Sequence, residues 1–213
     1  MPTMALFRYR VDLHVHTRRY SACAETLDPG QLPGIMVRRG LHGVVLTEHD
    51  QMWPREEIAA LNRGLKGRRI YRGVEVSSRH GHFLAIGLDD LAGIHKGMAI
   101  EELLARARAA GAAVVWAHPL NNYDHTSLPL APDAMPPGLH AIETAGGRTG
   151  SDGAGRLLVY ARRLGCTPVA GSDAHAIDQV GCAFTRFARL PMDEKHLAAA
   201  IIAGRCKPME ISS

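Results

Sequence analysis

Two histidines separated by a single valine lie in an apolar run at residues 11–17, which reads VDLHVHT. Alternate side chains of a β-strand share one face, so His14 and His16 point the same way, about 7 Å apart along the strand. Two imidazoles placed like this can converge beyond the strand end and chelate a metal ion. A half-buried strand with two hydrogen-bonded histidines explains the pair equally well, so the other ionisable residues must decide.

Further acidic residues and histidines lie at or near the ends of predicted strands. They are Glu48, His49, Asp50, Glu75, His82, His118, Glu143, Asp173 and His175. Burying so many ionisable groups at one rim is costly without a counterion, and a bound divalent cation supplies one. Barrels of alternating strands and helices carry their active sites at the C-terminal ends of the strands. The distribution therefore predicts a metal centre at that rim.

The types of the candidate ligands narrow the choice of metal. Imidazoles and carboxylates without a cluster of thiolates suit Zn²⁺, Mn²⁺ or Fe rather than a structural Cys₄ zinc or an all-oxygen Mg²⁺ site. The candidate ligands outnumber what one tetrahedral ion uses, so we expect two or three divalent transition-metal ions. A carboxylate such as Glu75 can bridge two of them with its two oxygens.

Strand patterns alternate with helix patterns along the chain. The predicted strands are residues 11–16, 43–48, 70–76, 82–87, 113–117, 139–143 and 168–172, with a further candidate at 182–187. The predicted helices are residues 31–39, 54–65, 99–110, 154–164 and 193–203. This alternation indicates a parallel sheet covered by helices. The number of strands fits a closed (β/α) barrel about as well as an open sheet.

The composition is that of an ordinary globular protein, and we expect one domain over residues 1–213. Its formal charge of +4 comes mainly from scattered arginines, which suits an anionic substrate but is too weak to indicate nucleic acid. The four cysteines form no CxxC pair, which predicts reduced thiols. The sequence shows no signal-peptide pattern and no run long enough to span a membrane, so we expect a cytoplasmic protein with no membrane partner.

Six motifs in order, DLHVHT, LTEHD, GVEVS, GHFLAIG, AHP and GSDAH, closely resemble those of the polymerase-and-histidinol-phosphatase (PHP) domain. The resemblance runs from about residue 11 to residue 205. It implies an α/β fold, a distorted (β/α)₇ TIM-like barrel, with a di- or trinuclear metal centre that hydrolyses phosphoesters. The implied ligand sets are His14, His16, Glu75 and Asp173 for one ion, Glu75, His82 and His118 for a second, and His49 with His175 for a third ion or the phosphate.

The chain departs from the family pattern shortly after the HxH pair. Trinuclear members carry a further His or Asp there, whereas this chain has Ser21, Ala22 and Cys23, with Glu25 beyond. A third metal site would therefore be weak, use Cys23 or Glu25, or be absent. His80 is a second candidate for the ligand position given above to His82.

The implied reaction assigns roles to the side chains around the metals. Asp173 would orient or deprotonate the nucleophile, and His49 or His175 would stabilise the phosphate or protonate the leaving oxygen. Arg19 and Arg148 follow strand-end motifs, so we expect them to bind phosphate oxygens of a phosphorylated small-molecule substrate.

Three other functions remain open at this stage. An amidohydrolase also begins with HxH, but its bridging carbamylated lysine has no equivalent, because neither Lys66 nor Lys96 follows a suitable strand. A 5′→3′ exonuclease on short nucleic acids needs a basic, aromatic-lined groove, and only 5% of the chain is aromatic. A non-catalytic metal-binding module is the third alternative. The sequence does not specify the substrate, the native metal or the oligomeric state.

Overall fold

The computed structural model describes residues 7–24, 26–120, 135–146 and 151–210. Within these residues the chain forms nine strands, five α-helices and one short 3₁₀ helix. The strands are β1 (Tyr9–Val15), β2 (Gly43–Leu46), β3 (Arg69–Ser78), β4 (Gly81–Ile86), β5 (Ala113–Trp116), β6 (Ala141–Ala145), β7 (Thr167–Ala170), β8 (Ala183–Phe187) and β9 (Cys206–Glu210). The helices are α1 (Leu32–Arg39), α2 (Arg55–Asn62), α3 (Ile100–Ala110), α4 (Ser151–Leu164) and α5 (Glu194–Ile202), and the 3₁₀ helix is Pro29–Gln31.

The strands form one sheet in the order β7-β6-β5-β4-β3-β2-β1-β8-β9, which is nearly closed into a barrel. Backbone hydrogen bonds tie the segment after β7 to β1: His16 N donates to Ala174 O (2.9 Å) and Ala174 N donates to His14 O (3.3 Å). The Thr185 hydroxyl of β8 donates to Ala170 O (2.9 Å) and accepts from Ala170 N (2.8 Å). These bonds draw β7 toward β1 and β8, and the expected barrel-like α/β fold is confirmed.

The direction of two strands differs from the purely parallel sheet that the alternation indicates. β4 runs antiparallel to β3 and β5, and β8 runs antiparallel to β1. Only Arg79 and His80 separate β3 from β4, too short a connection for the crossover that parallel neighbours require. Because β4 runs backward, it begins at the rim where β3 ends, and His82 lies opposite Ser77. The sequence pattern also does not predict β9, whose short segment CKPME contains a proline.

The interior of the barrel is apolar along most of its length and becomes polar at the rim. Leu13, Val45 and Tyr71 belong to one buried cluster, to which α5 contributes three apolar side chains. α5 therefore closes the end opposite the rim. Alternation along β3 places Tyr71, Gly73 and Glu75 on the inner face, so the Glu75 carboxylate lies above an apolar floor.

Local signals explain where the helices begin and end. α3 has Glu101 and Glu102 in its first turn and Arg108 in its last turn, as the helix dipole favours. It ends at Gly111, whose φ of 63° is left-handed, a conformation that glycine adopts readily at the C-cap of a helix. None of the helices within the described ranges is long and apolar enough to cross a membrane.

Gly171 follows β7 at a point where there is no room for a side chain. A Cβ atom at this position would lie 2.6 Å from His14 Cβ and 2.8 Å from Glu143 Oε1. We expect Gly171→Ala to force β7 and β1 apart and to lower the free energy of unfolding by about 1–3 kcal/mol. Thermal melts followed by circular dichroism measure this loss.

Gly155→Ala in α4 is the matched control, because nothing lies within 4 Å of a Cβ atom there. Alanine is the better helix former, so this variant should be as stable as the parent chain or more stable. Equal melting temperatures for the two variants would contradict a tight contact between β7 and β1.

Candidate metal centre

The carboxylate of Glu75 lies at the centre of a buried histidine cluster, and its side chain is fully buried. Its Oε1 is 3.0 Å from His82 Nδ1 and 3.0 Å from His118 Nε2. His80, the second candidate for this position, is not in the ligand groups found among the described residues, and its Nδ1 accepts a hydrogen bond from the backbone N–H of Ile100 (3.4 Å). His82 and His118 therefore share one oxygen of Glu75.

The second oxygen of Glu75 faces a different set of imidazoles. Oε2 lies 2.8 Å from His49 Nδ1, 3.2 Å from His16 Nε2 and 3.5 Å from His14 Nε2. The register of β1 against β2 shifts between Asp12 and Val15, so His14 lies where the regular ladder is interrupted, and His16 follows directly after the end of β1. The HxH pair therefore does converge on one point, as its spacing predicts.

Asp173 and His175 complete the cluster from the segment after β7. Asp173 Oδ1 lies 3.4 Å from both His14 Nε2 and His16 Nε2. The rings of His175 and His16 are stacked with centroids 4.4 Å apart. His175 Nδ1 lies 2.9 Å from the carbonyl oxygen of Asp173, and a carbonyl can only accept. His175 Nδ1 therefore donates, which leaves the Nε2 lone pair available to a ligand.

Four groups of three side chains have ligand atoms within 4.8 Å of one another among the described residues. The structure thus brings together all eight side chains that the sequence predicts as metal ligands. The four groups are His16, His49 and His175; His14, His16 and Glu75; His14, His118 and Asp173; and His49, Glu75 and His82.

The two arginines predicted to bind phosphate are not part of this cluster as described. Arg19 is half-exposed, and its guanidinium group donates to Glu57 at 3.2 and 3.3 Å. Arg148 lies outside the described residues. Their contact with a substrate stays a prediction.

Glu143 at the end of β6 fixes two of the histidines. Its Oε1 lies 3.1 Å from His14 Nδ1, and its Oε2 accepts from the backbone N–H of His118 (2.9 Å). A carboxylate that is hydrogen-bonded to Nδ1 orients the imidazole so that Nε2 points toward the position of a metal ion, as is common at metal sites. The position of Glu143 at a strand end indicates a place on the rim, but the sequence does not reveal this positioning contact.

Asp12 anchors the base of the HxH segment. It is fully buried and accepts from Ser172 N (2.8 Å), Ser172 Oγ (2.7 Å) and Gly181 N (2.8 Å). Burial raises the pKa of Asp12 to about 6, against the opposing effect of these hydrogen bonds. Asp12 therefore joins β1 to the segments after β7 and before β8, a contact between distant residues that the sequence pattern does not predict.

Ser21, near the position where the PHP resemblance implies a further metal ligand, contacts both His16 and Glu48. Its hydroxyl donates to Glu48 Oε2 (2.5 Å) and lies 3.3 Å from His16 Nδ1. Glu48 also accepts from Thr17 Oγ1 (2.6 Å), so it positions the HxH segment. Cys23 is exposed, and no cysteine belongs to the ligand groups found among the described residues. Glu25 lies outside those residues.

Three residues other than glycine have positive φ angles within the described ranges, and all three follow strands at the rim: Asp50 (53°), His118 (28°) and Asp173 (53°). Two hydrogen bonds hold Asp50 in place. Its backbone N–H donates to Glu75 O (2.8 Å), and its side-chain Oδ1 accepts from Ser77 N (2.7 Å). Strained backbone of this kind is typical of functional sites.

Opposite charges outweigh burial in setting the ionisation of the cluster. Burial acts to raise the pKa of Glu75, yet His14 and His118 hold it well below its ordinary value. Burial acts to lower the pKa of His14, yet the carboxylates of Glu143, Glu75 and Asp173 raise it well above its ordinary value. These three carboxylates therefore favour positive charge in the space between them.

Several donor atoms face one another in a way that a bound cation satisfies better than hydrogen bonds do. His14 Nε2 lies 3.0 Å from His16 Nε2, and two imidazole nitrogens can share only one hydrogen. Glu75 Oε2 and His82 Nδ1 are buried and make no hydrogen bond of acceptable geometry. This is so although Oε2 lies 2.8 Å from His49 Nδ1 and His82 Nδ1 lies 3.0 Å from Glu75 Oε1. Imidazole nitrogen and carboxylate oxygen are ligands of zinc, manganese and iron. These residues fit divalent transition-metal ions.

A family model described as PHP-associated matches residues 156–206, from α4 to the start of β9. No curated protein is a significant match to the sequence.

Several solved structures share the fold. One is a two-domain protein from Bacteroides vulgatus containing a predicted PHP-like metal-dependent phosphoesterase (TM-score 0.70, 18% identity, 95% of this chain and 64% of that chain). Another is PsfC from Pseudomonas syringae (TM-score 0.66, 20% identity, 96% of this chain and 92% of that chain). A third is the lesion-specific endonuclease EndoQ from Pyrococcus furiosus (TM-score 0.67, 19% identity, 94% of this chain and 57% of that chain).

The chain spans 64% of the Bacteroides protein and 57% of the endonuclease, so both relatives extend well beyond the shared region. At identities of 20% or less these structures show a common fold and no more. The match to the PHP-associated model adds a sequence signal from the same family. The PHP-associated model over residues 156–206 and the fold shared with the PHP-like structure agree with the ordered motifs, and together they support a PHP domain family.

Proposed function

We propose that the chain is a metal-dependent phosphoesterase that hydrolyses a phosphate ester of a small molecule. The observation that carries this proposal is the division of the imidazoles between the two oxygens of Glu75. Oε1 faces His82 and His118, while Oε2 faces His16 and His49. A carboxylate surrounded in this way is suited to bridge two cations.

The ligands divide into sets around this bridge. His49 and His175 both stack against His16, each with centroids 4.4 Å from that ring, and would hold a third ion or contact the phosphate. The two principal sets are His14, His16, Glu75 and Asp173 for one ion, and Glu75, His82 and His118 for the other.

When bound, such ions lower the pKa of water toward neutrality and neutralise charge on the phosphoryl oxygens. Despite burial, His14 and His16 hold the pKa of Asp173 below its ordinary value, so its carboxylate stays ionised and can accept a proton from the attacking water. His49 is 33% exposed at the mouth of the cluster, which places it to stabilise the phosphate or protonate the leaving oxygen.

Two of the alternative functions differ in how well they fit the structure. Lys66 and Lys96 are both exposed, so neither can supply the bridging carbamylated lysine of an amidohydrolase. Nucleic acid is a coherent alternative substrate, because the similarly folded EndoQ is a lesion-specific endonuclease, and an Endonuclease Q structure holds a duplex with an abasic lesion at the active site. Phosphomonoesters and phosphodiesters require the same metal chemistry, so a substrate panel must separate them.

We also propose that the protein works in the cytoplasm. Burial raises the pKa of the Cys166 thiol to about 11 and that of the Cys206 thiol to about 12. Such thiols are inert core side chains, as expected of a protein that does not depend on disulfide bonds.

Glu75→Gln should abolish phosphoesterase activity, with kcat reduced at least about a thousandfold. The substitution removes the negative charge that holds two cations close together. Steady-state kinetics with Zn²⁺, Mn²⁺ or Fe²⁺ on phosphomonoesters, phosphodiesters and oligonucleotides measures the loss and identifies the preferred substrate class.

The control is Glu101→Gln, which makes the same chemical change at an exposed position of α3. It should retain full activity, and circular dichroism should show both variants folded. A Glu75→Gln protein that turns over at the parent rate would contradict the bridged-metal mechanism.

Arg19→Ala and Arg148→Ala should mainly raise KM for a phosphomonoester and leave kcat close to that of the parent chain. A guanidinium that binds the phosphate equally in the ground state and the transition state contributes to KM alone. Arg63→Ala, at an exposed arginine after α2, is the control. Unchanged KM in both test variants would remove these two arginines from the substrate site.

A further inference from the structure

Three basic side chains lie side by side across neighbouring strands on the outer face of the barrel. Arg10 of β1 pairs in register with Arg186 of β8, which pairs in register with Lys207 of β9. We call these three residues the basic ladder. The adjacent residue Thr185 faces β7 and the interior, so alternation directs Arg186 outward. Lys207 is exposed, and the other two are partly exposed.

The basic ladder places like charges directly opposite each other, which destabilises a sheet. The guanidinium carbons of Arg10 and Arg186 lie 5.2 and 5.8 Å from the centre of the same Phe184 ring. Within the described part of the chain, none of the three forms an ion pair with a carboxylate, although arginines elsewhere do so. Neighbouring aromatic rings therefore orient these cations, but no carboxylate among the described residues neutralises them.

The positive charge extends beyond the ladder to the beginnings of β1, β2 and β3. Burial lowers the pKa of His42, and the positive charges of Arg68, Arg10 and Arg8 lower it further. Arg8 also lies over the Tyr9 ring, with its guanidinium carbon 4.9 Å from the ring centre. A cationic field thus covers the outer face where these strands begin.

We propose that the basic ladder binds the phosphodiester backbone of a nucleic acid. Adjacent strands are about 4.8 Å apart, so the three cations form a row about 10 Å long. A row of this length is longer than one phosphate group and can contact successive phosphates of a backbone. Guanidinium groups donate to phosphate oxygens in a bidentate manner. A backbone contact of this kind does not depend on base sequence.

A nucleic acid fits this face better than a membrane surface does. Binding to a bilayer combines basic groups with exposed apolar side chains that enter the lipid. Phe184 beneath the ladder is only 2% exposed, so the ring over which the two guanidinium groups lie offers almost no apolar surface to lipid.

The basic ladder is separate from the metal centre. Arg10 precedes His14 by four residues, about 13 Å along an extended strand, and its side chain is on the outer face. The inference therefore does not rest on the proposed phosphoesterase activity.

The test measures binding of a short fluorescein-labelled DNA duplex by fluorescence anisotropy, with the intactness of the DNA checked on a gel. We expect the double variant Arg186→Gln/Lys207→Gln to raise Kd about tenfold at about 50 mM salt and to lower the slope of log Kd against log salt by about two. Arg10→Gln alone should lower the slope by about one. Circular dichroism verifies folding of each variant.

The charge-matched control is Lys96→Gln/Arg106→Gln, which neutralises two exposed cations just before and within α3. Its Kd should stay within about threefold of that of the parent chain. Equal weakening in both double variants would show an effect of net charge and overturn the proposal.

The proposal is also overturned if the parent chain fails to bind DNA at low salt, or if it binds phosphatidylserine vesicles that DNA does not displace. Turnover of a small phosphate ester should be the same in all these variants, so failure of the phosphoesterase proposal would be recognised separately.

Discussion

A carboxylate removed from water is stable only where positive charge and hydrogen-bond donors replace the water it has lost. Glu75 meets this condition with five imidazoles within 3.5 Å, drawn from four different parts of the chain. The rest of the rim can be understood from this requirement. β4 must run backward to bring His82 to Glu75, and β7 must approach β1 closely enough that only glycine fits at residue 171.

The surrounding polar residues hold the imidazoles so that their nitrogen atoms point inward. Glu143 holds His14 and the backbone of His118, and Glu48 acts on His16 through Ser21. A histidine ligand usually has such a partner on its other nitrogen, because the partner sets the tautomer and the ring orientation. The apolar barrel below the rim keeps this polar network together, since it offers no alternative partner for these groups.

The sequence predicts much of this site but little of its support. The spacing of His14 and His16 predicts that they face one point, and strand-end positions predict the grouping of the other candidate ligands; the donor atoms of all of them lie close enough to share ions. The reversed direction of β4 follows from a turn of two residues, which hydrophobic patterning does not reveal. The contacts of Asp12 with Ser172 and Gly181 join residues 160 and 169 positions apart. Such contacts depend on barrel closure rather than on local sequence.

The division of ligands between the two oxygens of Glu75 is the central claim, and anomalous diffraction tests it most directly. Crystals grown with Mn²⁺ or Zn²⁺ should show two strong anomalous peaks about 3.5–4 Å apart, one beside each oxygen of Glu75. The peak on the Oε1 side should contact His82 and His118, and the peak on the Oε2 side should contact His14 and His16. A single peak bound by both oxygens, or metal bound away from Glu75, would contradict the account.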